Sequence, residues 1–180
     1  MYRAPAWIEE ELERVLSRHE ASVGYSTCLW HNVRTSVSLI DPMRWFADLQ
    51  KMAARPYPEP LRRAIIAKSH PILRRSMTSF LHQIERGLDR GDTVAVQHRL
   101  AALLACYFDV LFALNRQTHP GEKRLLPRAL ALCPLRPAHL ERQVAAVLAA
   151  PLLDEKHQIV SLAHQLIDGL DDQLIAEGLI

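Results

Sequence analysis

The stretch from Thr93 to about Arg116 constrains the fold of this chain more than any other, because its own apolar residues are distributed around the whole circumference of a helix. Their spacing fits one long α-helix whose apolar surface is too wide for a stripe that faces a core on one side only. These residues are Val94, Val96, Leu100, Leu103, Leu104, Tyr107, Phe108, Leu111, Phe112 and Leu114. The chain has 180 residues, 49% of them hydrophobic, which is enough to enclose such a helix. We therefore predict that it is the central helix of a bundle.

Helical spacing of apolar residues recurs along most of the remaining chain. Proline, glycine and aspartate separate the segments at positions typical of helix starts and ends. The predicted helices span Pro5–Glu20, Pro42–Met52, Leu61–Ile66, Pro71–Leu88, Leu125–Leu132, Ala138–Ala149 and about Asp154–Ala176. The fold class that follows is mainly α.

The segment Tyr25–Ile40 departs from this spacing. Apolar and polar residues alternate on either side of His31-Asn32, which is the pattern of one hairpin or two short strands. Two strands alone are marginally stable, so they must pack on helices or join a larger sheet. The expected fold is therefore a helical bundle with a small N-terminal two-stranded β element. Residues 1–56 would hold the N-terminal helix, the short strands and a linking helix, as the remnant or docking edge of an α/β domain, and residues 57–180 the helical bundle domain.

Polar side chains are dense at Ala113–Lys123, where the central helix ends. Pro120 disfavours helix at the residue before it and Gly121 permits backbone angles that other residues avoid, so a sharp helix-loop-helix corner is expected. Such corners often carry function. The predicted substrate- or partner-binding residues are Asn115, Arg116, His119, Glu122 and Lys123. The structural alternative is that some of these side chains satisfy the free backbone groups of the two helix ends.

Asp109 lies between Phe108 and Val110 on the most apolar helix, which makes it a candidate buried carboxylate. Such a group could act as a base or bind a cation. Because unpaired buried charge is rare, we expect a structural pair with an arginine or histidine of a neighbouring helix. Asp41 precedes Pro42 and is expected to cap a helix rather than to hold a metal ion.

No metal site is predicted from the histidines or cysteines. The nine histidines are scattered, and no pair has the i, i+4 spacing of a helical zinc site. Cys28, Cys106 and Cys133 are far apart and odd in number, which is typical of free core thiols in a reducing compartment.

The charge balance gives no reason to expect a nucleic-acid or membrane partner. Lysine and arginine number 22 against 20 acidic residues, for a net charge of +2. The N-terminus has no apolar leader, and no stretch approaches the roughly 18 uncharged apolar residues of a membrane span. A cytoplasmic protein is expected.

Three groups of residues resemble a known family. They are Tyr57–Lys68, the turn Arg90-Gly91-Asp92, and Phe112–Arg116 together with His119–Leu126. They resemble the helical C-terminal region of bacterial nucleotidyltransferase-like proteins, of the polymerase-β-like superfamily, over about Gly24–Leu148. The resemblance implies that Thr35–Ile40 is a strand at the end of the nucleotidyltransferase sheet.

The catalytic half of that family has no counterpart in this sequence. A nucleotidyltransferase needs a Gly-Ser turn for the nucleotide phosphates, and an Asp-x-Asp (or Glu) strand with a third carboxylate for divalent metals. Here Gly24 is followed by Tyr25, and the adjacent acidic pair Asp171-Asp172 lies late in the last helix. We therefore expect a non-catalytic module that contributes substrate or partner binding. Nucleotide and Mg²⁺ would enter only with a nucleotidyltransferase domain or chain supplied elsewhere.

Two alternatives remain open. Ribonucleases of the related helical HEPN family use an arginine followed several residues later by a histidine, and Arg116 and His119 lie closer together than that motif requires. The other alternative is an interaction module that forms homodimers through its exposed strands or an apolar face of the bundle.

Overall fold

The computed structural model describes residues 4–150 and 158–180, and this part of the chain is mainly helical. The helices are α1 (Pro5–Leu16), α2 (Cys28–Thr35), α3 (Trp45–Ala53), α4 (Glu59–Ser69), α5 (Pro71–Arg74), α6 (Phe80–Asp89), α7 (Thr93–Leu114), α8 (Leu125–Leu132), α9 (Leu140–Ala149) and α10 (Gln158–Ala176). The predicted start of the last helix, residues 154–157, lies outside the described residues.

Helix α7 is the centre of the fold, as its sequence predicts. It packs mainly against α4 and α6, with further contacts to α5, α8 and α10. Every residue from Cys106 to Leu114 is at most 3% exposed, so this half of the helix is enclosed on all sides. By length and composition alone α7 is apolar enough to cross a membrane, with a mean hydropathy of 1.4, and the core helix of a folded domain meets the same criteria.

Helices α6 and α7 approach each other closely near their connecting turn. Gly87 faces Val96 there, and a Cβ built on the glycine would lie 2.8 Å from a methyl carbon of Val96. Asp92 caps α7 by accepting a hydrogen bond from the N–H of Ala95 at 3.0 Å. The absence of a side chain at Gly87 therefore allows the tight antiparallel packing of the two helices.

The predicted β element is wrong: residues 25–40 contain α2, and no strand is found in the described part of the chain. Trp30 and Val33, three residues apart, are buried on one side of α2. The indole N–H of Trp30 donates to the carbonyl of Ala53 at 2.7 Å, which fixes α2 against the end of α3. Burial of the large indole on a helix face outweighs the weak alternation of the sequence.

The segment that follows α2, residues 36–44, is irregular and carries exposed apolar side chains. Val37, Leu39, Ile40 and Met43 are between 84% and 95% exposed. We call residues 37–43 the apolar segment. Asp41 accepts hydrogen bonds from the N–H groups of Phe46 and Ala47 in the first turn of α3, but the helix begins at Trp45 rather than at Pro42, and its N-cap residue is Arg44 rather than Asp41.

A buried arginine stabilises the C-terminal end of α7. Arg62 of α4 is 3% exposed and donates to the carbonyl of Leu114 at 2.8 Å. Its guanidinium also pairs with Glu177 at 3.2 Å and with Glu59 at 3.3 Å. One side chain therefore connects α4, the last turn of α7 and the end of the chain after α10.

A second polar cluster joins α4 and α5 to α10. The imidazole of His70 and the guanidinium of Arg74 both contact the carboxylate of Asp171, at 2.5 Å and 2.6 Å. Burial raises the pKa of Asp171, but the hydrogen bonds from His70 and Arg74 outweigh it and lower the pKa overall. This carboxylate is thus held ionised between two donors as a structural contact.

Candidate functional site

The five predicted site residues at the corner after α7 lie in three different environments. Asn115 is a structural clamp: its amide donates to the carbonyls of Leu111 and Leu135 and accepts from the N–H of Leu135, all within 2.9 Å. Arg116 points toward α4 and pairs with Glu59 at 3.1 Å. These two side chains therefore tie the helix end to its neighbours.

His119 is fully buried beneath the corner. Its backbone N–H donates to the hydroxyl of Thr27 at 2.7 Å, and its Nδ1 accepts from the N–H of Gly121 at 3.0 Å. The ring packs edge-on against Tyr25 and Phe112. Burial lowers the pKa of His119 to about 4, and nearby His31 acts in the same direction. The imidazole is thus neutral, and it holds the corner against the turn before α2.

Glu122 and Lys123 lie at an open cleft of about 710 Å³ between α2 and the corner. The residues that line it are Tyr25, Cys28, His31, Asn32, Thr35, Pro120, Gly121, Glu122, Lys123 and Arg128. Its volume is in the range of small-molecule sites, about 300–1,000 Å³. We call this cavity the α2–corner cleft.

His31 is the central side chain of the α2–corner cleft. Its Nδ1 lies 2.9 Å from the hydroxyl oxygen of Thr118, and its Nε2 lies 3.5 Å from a guanidinium nitrogen of Arg128. Because arginine only donates, Nε2 is the acceptor, and the proton of the neutral ring is on Nδ1. Burial lowers the pKa of His31, and the positive charges of Arg128 and Arg34 lower it further.

The other ionisable groups of the cleft are poorly suited to act as nucleophiles at neutral pH. Burial raises the pKa of Tyr25 to about 12, and the adjacent Glu122 carboxylate acts in the same direction. Burial, followed by the negative charges of Glu122 and Asp109, also raises the pKa of the Cys28 thiol. A thiol that stays protonated is a weak nucleophile and a poor metal ligand.

Tyr25, which lines the cleft, and Arg124, which follows the lining residue Lys123, have left-handed backbone conformations without being glycine. Tyr25 has φ of 53° and Arg124 has φ of 56°. Each such position costs about 1–2 kcal/mol for a residue with a side chain. Non-glycine residues in this conformation cluster at binding and active sites, where the surrounding structure enforces them.

Asp109 holds the turn before α2 from within the core. It is 1% exposed and accepts hydrogen bonds from the N–H of Ser26 at 3.0 Å and from its hydroxyl at 2.7 Å. The partner is therefore a serine before α2, and not the arginine or histidine that we expected. Because Ser26 follows Tyr25 directly, this buried contact fixes the turn from which Tyr25 enters the cleft.

Four residues of α2 line the cleft but were not among the predicted site residues, although the sequence contains a pattern that indicates them. Cys28, His31, Asn32 and Thr35 have the spacing i, i+3, i+4, i+7, which places them on one face of a helix. The interpretation of this segment as strands hid that face. Within the described residues, no group of three or more histidine, cysteine, aspartate or glutamate side chains is placed to hold a metal ion.

The fold and the site define a helical protein with a polar, partly cationic cleft at the end of its central helix. A family model described as a domain of unknown function, DUF4037, matches residues 26–125, more than half of the chain. The protein therefore belongs to this family. The matched region runs from α2 through the corner and includes His31, Asp109 and Lys123. No curated protein and no solved structure matches the chain.

Proposed function

We propose that this chain is a non-catalytic helical module that works with a nucleotidyltransferase domain or chain and contributes binding of its substrate. The α2–corner cleft carries the proposal, because it offers a ligand-sized cavity and eight of its ten lining residues have hydrogen-bonding or charged side chains. The link to nucleotidyltransferases rests on the sequence resemblance around Tyr57–Lys68 and the corner.

The chemistry of the cleft favours binding over catalysis. Neither Tyr25 nor Cys28 is activated, since burial raises the pKa of both. A general base should titrate near neutral pH and face the reacting group. His31 lies in the cleft, but its free nitrogen faces a guanidinium. These groups are suited to hold a substrate while another protein supplies the reactive groups.

The test compares this chain alone with this chain and a catalytic partner. The partner to use is a protein encoded beside this chain's gene that carries Gly-Ser and Asp-x-Asp motifs. Each purified protein, and their mixture, is incubated with α-labelled nucleoside triphosphates, Mg²⁺ and a fraction of small cellular metabolites as acceptors. We expect label transfer from the mixture and none from this chain alone. Transfer by this chain alone would refute a non-catalytic role.

A variant of this chain tests whether the cleft contributes to that activity. Lys123→Ala removes an exposed cleft side chain, and Arg99→Ala removes a matching charge from an exposed position on α7. In the mixture, Lys123→Ala should raise the KM for the substrate while kcat changes little, and Arg99→Ala should change neither. Equal kinetics for the two variants would contradict a substrate role for the cleft.

The apolar segment favours a second candidate function, self-association into a homodimer. Side chains at Val37, Leu39, Ile40 and Met43 are almost fully exposed, and large apolar groups in water favour contact with a partner surface. Light scattering at increasing protein concentration tests this. A dimer that dissociates in Leu39→Ser supports it, and a monomer at high concentration excludes it.

The ribonuclease alternative gains no support from the corner. The imidazole of His119 is buried and its Nδ1 is occupied by the N–H of Gly121. Arg116 is directed to Glu59 on α4. The two side chains that such a mechanism would use therefore have separate structural partners.

A further inference from the structure

Two cations of the α2–corner cleft have no acidic partner among the residues that the structure describes. Neither Lys123 nor Arg128 has a carboxylate oxygen within 4.0 Å there. The Arg128 guanidinium donates to the carbonyl oxygen of Pro120 at 3.3 Å and lies 3.5 Å from Nε2 of His31. Arg74, by contrast, is neutralised by Asp168 and Asp171. The cleft therefore has unused positive charge.

The position of His31 shows where an anion would be accommodated. The unprotonated Nε2 faces the Arg128 guanidinium, so protonation of Nε2 would place two positive charges side by side. An anion between them would accept hydrogen bonds from both. The charged or titratable groups near His31 are Tyr25, Cys28, Arg34, His119, Glu122, Lys123 and Arg128. Glu122 is the acidic member of this set, and it lies beside the phenol of Tyr25.

We propose that the α2–corner cleft binds the phosphate groups of a small phosphorylated ligand, with Arg128, Lys123 and protonated His31 as the donors. Arginine and lysine are the side chains that proteins use most to bind phosphate oxygens, since charge-assisted hydrogen bonds are short and strong. A volume of about 710 Å³ accommodates a polyphosphate together with further groups of the ligand. This inference rests on the proposed binding role of the cleft and adds the chemical class of its ligand.

The experiment follows the imidazole of His31 by NMR while pyrophosphate is added to the full chain. Bound pyrophosphate favours the protonated ring, so the pKa of His31 should rise on saturation. Affinity should accordingly increase as the pH falls toward that pKa. An unchanged pKa of His31 at saturating pyrophosphate overturns the proposal, because the anion would then be bound elsewhere.

Parallel titrations identify the source of the phosphate. ATP that binds more tightly than pyrophosphate assigns the cleft to nucleotides, and equal affinity assigns it to free polyphosphate. Both results support the phosphate chemistry. Adenosine that binds in the cleft while pyrophosphate does not overturns it.

Three variants locate the contact. Arg128→Ala and Lys123→Ala should each weaken pyrophosphate binding by about 10-fold to 100-fold, as loss of a hydrogen bond to a charged group predicts. Arg99→Ala, about 24 Å along α7 from the corner, removes the same charge as Arg128→Ala and should leave binding unchanged. Because Arg128 also contacts the corner backbone, Lys123→Ala is the decisive variant if Arg128→Ala unfolds. Equal weakening by Lys123→Ala and Arg99→Ala would show non-specific charge attraction and overturn the proposal.

The two proposals fail in different assays. Label transfer by this chain alone refutes the non-catalytic role and leaves phosphate binding intact. Absence of pyrophosphate binding refutes the ligand class and leaves the transfer experiment with the catalytic partner unaffected.

Discussion

Replacing Asp109 with asparagine separates the charge of this buried side chain from its hydrogen bonds. The carboxylate accepts two bonds from Ser26, one from the N–H and one from the hydroxyl. An amide of the same shape accepts the first through its oxygen and donates to the hydroxyl oxygen through its nitrogen. The hydroxyl of Ser26 can still donate to the carbonyl of Ser22, which lies 3.2 Å away. Asp109→Asn therefore removes mainly the buried charge.

The expected effect on stability depends on pH. Burial raises the pKa of Asp109 from 3.8 to about 6, although the hydrogen bonds from Ser26 act in the opposite direction. The folded protein then binds this proton more tightly than the unfolded chain does between about pH 4 and pH 6. Stability from this group is fully present below that window and is lost as the pH rises through it. The loss amounts to roughly 3 kcal/mol.

Urea unfolding followed by circular dichroism at pH 4, 5, 6 and 7 measures this effect. The free energy of unfolding of Asp109→Asn, relative to wild type, should rise by roughly 2–2.5 kcal/mol from pH 4 to pH 7, because more than half of the unfolded carboxyl is already ionised at pH 4 and other titrations cancel in the difference. Asp89→Asn, at an exposed position of α6, is the matched control and should show no such trend. Ser26→Ala removes a donor that lowers the pKa of Asp109 and should enlarge the pH dependence of the protein. A constant difference between Asp109→Asn and wild type at all four pH values would refute the reasoning.

Three further substitutions test the packing and the polar contacts, again by urea unfolding. Gly87→Ala should lower the free energy of unfolding by about 1–3 kcal/mol, because the new methyl group overlaps Val96, and the double variant with Val96→Ala should recover most of the loss. Asn115→Ala should lower it by about 1–3 kcal/mol, because the N–H of Leu135 loses its acceptor; a neutral result would mean that water replaces the amide. Arg62→Ala should lower it by about 3–5 kcal/mol, and full recovery in Arg62→Lys would contradict a role for the forked guanidinium geometry.

The helical core was predictable because its signal is long and periodic. In the second half of Thr93–Leu114 the apolar residues leave no polar face wide enough for solvent, so a central position is needed to bury them. In short segments the apolar spacing is a much weaker indication of the secondary structure. In Tyr25–Ile40, alternation over a few residues indicated strands, whereas the structure buries Trp30 and Val33 on one face of a helix, with the indole bound to Ala53. Such a tertiary contact cannot be seen in local spacing.

The apolar segment also contributed to the wrong prediction of strands in Tyr25–Ile40. Val37 and Leu39 alternate with serines as in a strand, but these two side chains and that of Ile40 are at least 84% exposed. Their pattern is therefore not a consequence of the fold described here. A sequence can indicate that such residues need a partner surface, but it cannot identify which surface that is.

The sequence predicted some of the residues that line the candidate site. The corner sequence led to Glu122 and Lys123, which line the cleft. It also suggested Asn115, whose amide is used within the fold, and His119, whose ring is buried with Nδ1 bound to the N–H of Gly121. Whether a side chain at a corner turns outward or inward depends on packing against elements distant in sequence, such as the turn at Thr27, and residue type alone does not determine it.

The contacts of the Arg62 guanidinium affect how the protein unfolds locally. Helix ends usually fray first, so their amide protons exchange with solvent faster than those of the helix middle. The last turn of α7 is covered by a side chain from α4, which is itself paired with Glu177 near the end of the chain. This turn can then loosen only when three distant parts of the sequence separate together. The corner and the cleft beside it should therefore be part of the most cooperative unit of the protein rather than a locally flexible rim.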